Sequence, residues 1–198
     1  MREFRVEISP GAAIFFAAVY FLLDFSDIAA LALAAAVHEL GHIAALGVLG
    51  ARVRRLRFGM DGLCIVYTGA ISYPGQFAAA LAGPLAGAAL AIIFAGLGAE
   101  MESGFLYVCA GLSAALSVFN LLPALPLDGG RMLSAVLRAF LPLFRAERAE
   151  KFCRAAVCSV LAAGGAACML LGYGAALEMA AVWLALSAPG IVKRAGVL

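Results

Sequence analysis

Residues 28–50, IAALALAAAVHELGHIAALGVLG, decide how this chain is read. The run is long enough to cross a bilayer, which takes roughly 20 apolar residues, and it is apolar except in one turn. That turn is His38-Glu39-Leu40-Gly41-His42, an HExxH pattern. Positions i and i+4 of a helix share a face, so His38 and His42 can hold one metal ion. Glu39 is then placed to take a proton from a water on that ion. Ionisable side chains inside a membrane helix are costly and mark function. The chain has two histidines, and both lie in this turn. Two imidazoles joined by a carboxylate, with a fourth position left for water, suit zinc.

The composition agrees with a membrane setting. Of 198 residues, 65% are hydrophobic and 13% charged, with a mean hydropathy of +1.04. Soluble domains carry about 25% charged residues, so a water-soluble enzyme is excluded, and so is a disordered chain. The net charge of +2 and the lack of a long basic run argue against a nucleic-acid partner. Cys64, Cys109, Cys153, Cys158 and Cys168 form no CxxC pair and read as small apolar residues of membrane helices. The N-terminal MREFRVEIS mixes acids with arginines and does not read as a cleavable signal.

Six apolar runs are expected to be helices, at about 11–23 (extendable back to Val6), 28–50, 77–99, 105–122, 155–171 and 175–192. The expected fold is all-α and polytopic, with about six transmembrane helices in one integral-membrane domain over 1–198 and no separate soluble domain. The catalytic core is expected over about 28–140. All 14 basic residues fall in four segments. Arg2 and Arg5 precede the first run, and Arg52, Arg54, Arg55 and Arg57 follow the second. Arg131, Arg138, Arg145, Arg148, Lys151 and Arg154 follow the fourth, while Lys193 and Arg194 follow the sixth. With six spans all four segments share one side, which the positive-inside rule makes cytoplasmic, together with both termini.

Residues 52–73 do not read as helix. Asp61-Gly62 is a hairpin-turn signal between 56–60 and 63–68, and Tyr73-Pro74-Gly75 ends the segment. A small membrane-associated β-hairpin or sheet is expected between the second and third helices. It is either a surface loop or a sheet whose edge pairs with an extended peptide.

A catalytic zinc usually has three protein ligands. The third here must be a carboxylate or a thiolate. Asp128 is the leading candidate, in Asn120-Leu121-Leu122-Pro123-Ala124-Leu125-Pro126-Leu127-Asp128-Gly129-Gly130-Arg131. Pro123 and Pro126 stop the fourth helix, and the segment after it can dip back into the bundle. Asp128 as the cap of a helix starting near Gly129 is the competing reading. Depth favours a ligand, because His42 lies about 12 Å from the cytoplasmic end of its run and Asp128 just past that end of the fourth. Cys109 is a candidate thiolate nearer the opposite end. Glu178 is expected to snorkel or cap, Asp61 to sit in the turn, and Glu147 and Glu150 to form a solvated charged face. Asn120 reads either as a helix–helix hydrogen-bonding amide or as a carbonyl-polarising donor. Gly83-Pro84-Leu85-Ala86-Gly87 is expected to open the third helix as a close-packing surface.

HELGH on one helix, with NLLPALPLDGGR two helices later and AGPLAG at residues 82–87, resembles the site-2 protease family of intramembrane zinc metalloproteases. The six-run size and the LPLDGG-type motif look most like the bacterial stage IV sporulation protein FB branch. Only residues 193–198 follow the last run, so that branch's common C-terminal CBS domain is not expected in cis. Gly87 stands where the family often has Asn. The resemblance implies that His38, His42 and Asp128 bind one zinc ion, that Glu39 is the catalytic acid/base, and that Asn120 is a candidate polarising group. It implies regulated intramembrane proteolysis of a membrane-associated protein, such as a sporulation sigma-factor precursor, in a bacterial cell membrane. That substrate would enter as a strand beside residues 52–73. Membrane-bound inhibitory or regulatory proteins are possible partners. A metal-transit transporter using the same cluster is the alternative.

Overall fold

The computed structural model describes residues 5–9, 20–21, 23–59, 62–172 and 174–187. In chain order they form β1 (Arg5–Ile8), α1 (Phe25–Val48), β2 (Arg52–Gly59), β3 (Gly62–Thr68), α2 (Tyr73–Met101), α3 (Gly104–Asn120), α4 (Asp128–Phe140), α5 (Leu143–Leu170) and α6 (Ala176–Leu186). The molecule is mostly helical with one small sheet. Among the described residues, α1, α2 and α5 are long and apolar enough to cross a membrane, and α3 and α6 are shorter apolar helices. Most of the first apolar run lies outside the described residues, as do Asp61 of the expected turn and residues 193–198.

Helix α1 buries one stripe, Ala30, Ala34, His38, His42 and Leu46. The spacing of four residues keeps these side chains on a single face. The alanines let α1 sit close to α2, and the two histidines fall on the same inward line. Large apolar side chains on other faces of the helices, such as Leu33, Leu40, Ile92, Val118 and Val160, are exposed, as expected of a surface bathed in lipid.

The sheet runs β1-β2-β3. β2 and β3 are antiparallel, with a register irregularity between Val53 and Arg55. This realises the expected hairpin with a longer first strand. Residues 5–8 do not extend the first helix. They form β1, parallel to β2, pairing Arg5 with Arg55 and Ile8 with Phe58. Alternation of RVEI suits a strand better than a helix turn, and Glu7 adds an ion pair to Arg55 at 2.7 Å. One face of the sheet packs Val53, Leu56, Ile65 and Tyr67 against Leu46, Ala79, Ala80 and Met132. Arg52, Arg55 and Arg57 lie exposed. Cys64 is therefore a strand residue, unlike the other four cysteines, which are helical.

Three further expectations need correction. The segment Gly83–Gly87 does not open its helix. Helix α2 begins at Tyr73, nearly three turns earlier, capped by the Ser72 hydroxyl, which accepts from Gly75 N, with Pro74 in the first turn. Pro84 is mid-helix and buried. The charged stretch before residue 155 is helical, because α5 starts at Leu143. Its Glu150 is not solvated but buried. It accepts from Ser134 Oγ at 2.7 Å and from Arg138 at 3.1 and 3.3 Å, tying α5 to α4. Glu178, expected to snorkel or cap, is half-buried. It lies against α5, since a Cβ on Gly165 would stand 2.7 Å from its Oε2.

Candidate metal centre

Helix α3 ends at Asn120, and residues 121–127 turn back into the molecule before α4 begins at Asp128. Ala124, Leu125 and Leu127 of this segment are buried. Gly129 and Gly130 follow, and close approach requires both glycines. A Cβ on Gly129 would stand 2.6 Å from Leu122 O, and one on Gly130 would stand 2.6 Å from Ala124 O. The segment is thus folded tightly over the start of α4, and Asp128 is delivered inward. Leu127 is the N-cap residue, and Asp128 makes no cap.

The Asp128 carboxylate meets the two histidines of α1. His38 Nε2 lies 2.9 Å from Asp128 Oδ2, His42 Nε2 lies 3.2 Å from the same oxygen, and the two Nε2 atoms are 3.2 Å apart. All three residues are buried. Three donors about 2.0–2.2 Å from a tetrahedral zinc stand roughly 3.3–3.5 Å from one another, and the observed triangle lies just inside that spacing.

Tautomer chemistry makes the same case. His42 Nδ1 lies 2.8 Å from the carbonyl of Ala79. A carbonyl only accepts, so Nδ1 carries the proton, and a neutral His42 presents a lone pair at Nε2. That lone pair faces a carboxylate oxygen. Two electron-rich atoms held together in a buried site call for a cation between them. An imidazole fixed through its far nitrogen by a backbone carbonyl is also how metal-binding histidines are commonly oriented.

Glu39 is half-buried beside this group, and its charge couples to His42, His38, Asp128 and Arg131. Asp128 stands outside the candidate spans. Burial alone would raise its carboxyl; protons on the His38 and His42 Nε2 atoms, which a bound metal would replace, and the Arg131 charge outweigh burial and hold it below the usual carboxylate range. Burial pushes the Tyr67 phenol up, and the Arg131 charge partly offsets this.

The structure brings His38, Glu39, His42 and Asp128 together. Asn120 ends α3, and its amide donates one hydrogen to Leu116 O at 3.0 Å, one turn back. Cys109 is buried in α3 but is not in the metal-ligating group.

The glycines of α2 acquire a specific task. A Cβ on Gly83 would run into the His42 ring, 2.5 Å from Cε1 and 2.8 Å from Cδ2. A Cβ on Gly87 would collide with Ser117 Oγ and stand 3.8 Å from His38 Nδ1. On the facing helix, a Cβ on Gly41 would stand 2.6 Å from Ala82 O. Gly83 therefore makes room for the His42 imidazole and Gly87 for Ser117 of α3, where sequence spacing alone shows only a packing motif. Gly83→Ala is expected to force His42 from its position, lowering zinc content and costing about 1–3 kcal/mol of stability. Metal analysis and thermal unfolding of the purified variant check this.

With the geometry in hand, the similarities are informative. The family model described as Peptidase family M50 matches residues 98–164. A zinc metalloprotease of Methanocaldococcus jannaschii is 30% identical over 131 residues, covering 63% of this chain and 36% of that protein. The chain thus spans about a third of that relative's length. Among solved structures, the site-2 protease from Methanocaldococcus jannaschii matches with a TM-score of 0.70 at 20% identity, over 90% of this chain and 86% of that one. The sequence likeness to Peptidase family M50 thus covers residues 98–164, and the likeness to the site-2 protease is one of fold. With its apolar helices, the chain is a membrane protein.

Proposed function

We propose that this protein is an intramembrane zinc metalloendopeptidase that hydrolyses peptide bonds of membrane-associated proteins. The observation that carries this reading is the buried triangle of His38 Nε2, His42 Nε2 and Asp128 Oδ2 with Glu39 beside it. The donor set, two imidazoles and a carboxylate, suits a catalytic zinc with an open position. Zinc held there supplies Lewis-acid polarisation of the scissile carbonyl and activation of water.

The chain's own residues supply the rest. Glu39 accepts a proton from the attacking water at its carboxylate and hands it to the leaving amine nitrogen. Ala79 O fixes the His42 ring through Nδ1. Burial of His38, His42 and Asp128 keeps bulk water from competing for their charges. β3 is an edge strand of a sheet packed against α1 and α2. An extended substrate segment would pair with that edge by main-chain hydrogen bonds, as the resemblance implies.

Six spans with cytoplasmic termini, a bacterial membrane, regulation by membrane-bound partners and a role in sporulation extend this reading. The segregation of basic residues supports the first of these, and the LPLDGG-type motif the last. A metal-transit site is less well supported. A transport path strings polar groups along several depths, whereas these gather at one.

Protein reconstituted in liposomes with a membrane-anchored reporter tests the proposal. Cleavage should stop on zinc chelation and return when zinc is restored. Cleavage that survives full removal of metal would contradict it.

A further inference from the structure

We propose that Arg131 is a positioning residue for the metal centre. By holding one oxygen of Asp128, it leaves the other as the single carboxylate donor facing His38 and His42. The inference rests on reading that triad as a zinc site.

The two oxygens of Asp128 have separate partners. Oδ2 faces both histidines, while Oδ1 accepts from Arg131 Nη1 at 3.1 Å. The side chains of Asp128 and Arg131 are 4% and 17% exposed, so water does not readily replace either contact. Both residues lie in the first turn of α4, three positions apart, where side chains share a face. Arg131 N also closes that turn on Leu127 O at 3.1 Å. Gly129 and Gly130 between them are pressed against the backbone of residues 121–125. The turn therefore has little freedom to present the carboxylate differently.

A carboxylate left alone can bind a metal through one oxygen or both, and can rotate between these states. A guanidinium on Oδ1 removes both freedoms. Its charge also works against the metal, because a cation beside the ligand weakens the donor. Orientation wins here for two reasons. The guanidinium contacts the oxygen that does not donate, and without it that buried oxygen loses its hydrogen-bond partner. Loss of such outer partners typically weakens metal binding about 10–100-fold.

The test compares full-length wild type with Arg131→Met, both purified in detergent. Zinc affinity is measured by competition with a chromophoric chelator, and the visible spectrum of the cobalt-loaded protein reports coordination. Arg131→Met should bind zinc about 10–100-fold more weakly. Its cobalt bands should shift and weaken as the carboxylate changes its mode of binding. Zinc binding as tight as wild type, or tighter, with an unchanged cobalt spectrum overturns the proposal. If Arg131→Met does not fold, Arg131→Lys carries the test. It keeps the charge but lacks the planar fork, and should bind several-fold more weakly, wild-type affinity and spectrum again overturning the proposal. If wild type itself takes up neither zinc nor cobalt, the metal-centre reading fails and this inference with it.

Discussion

Glu39→Gln is expected to abolish detectable peptide hydrolysis while leaving zinc content unchanged. General acid–base groups typically contribute about 10²–10⁴-fold to rate, and no other carboxylate among the described residues stands ready to replace this one. Asp128 is occupied by the histidines and Arg131, and Glu150 by Ser134 and Arg138. Gln keeps the size of Glu but cannot accept the water's proton. Glu39 is outside the metal-ligating triad, so the metal should stay. The assay is cleavage of a membrane-anchored reporter, run beside metal analysis of the same preparation. Cleavage at the wild-type rate would remove Glu39 from the mechanism. Loss of zinc together with activity would make Glu39 part of the metal-holding structure.

Much of this site can be read from sequence because membrane helices are so poor in polar residues. His38, Glu39 and His42 stand out in an alanine- and leucine-rich run. Asp128 stands out beside two prolines and two glycines. Helical periodicity then places both histidines on one line, and α1 shows that line buried. The hairpin was equally legible from its β-branched and aromatic residues.

Other features depend on contacts between distant segments. β1 is four residues long and gains its identity only by pairing with a strand some fifty positions away. The burial of Glu150 depends on Ser134 and Arg138 arriving from α4, and a run of mixed charge looks solvated until that partner helix is placed. Gly83 reads as a packing residue in any membrane helix. Only the position of the His42 ring shows what it makes room for. Asn120 lies in a suggestive motif, and only the structure shows that one N–H of its amide is bonded to the backbone of its own helix. In the sequence Arg131 is one of 14 basic residues, and it is set apart by its contact with the far oxygen of Asp128.

The central claim is that His38, His42 and Asp128 together hold one zinc ion, and zinc stoichiometry across matched variants tests it most directly. Asp128→Asn keeps the shape of the side chain but removes the charge that draws a cation between two imidazoles. Loss of an outer partner already costs about 10–100-fold in affinity, so loss of a ligand should cost at least about 100-fold. Zinc per protein is measured after purification in a buffer containing a weak chelator, with Glu39→Gln as the folded control. The account predicts about one zinc ion in wild type and Glu39→Gln, and a small fraction of that in Asp128→Asn. Full zinc occupancy in Asp128→Asn would contradict it.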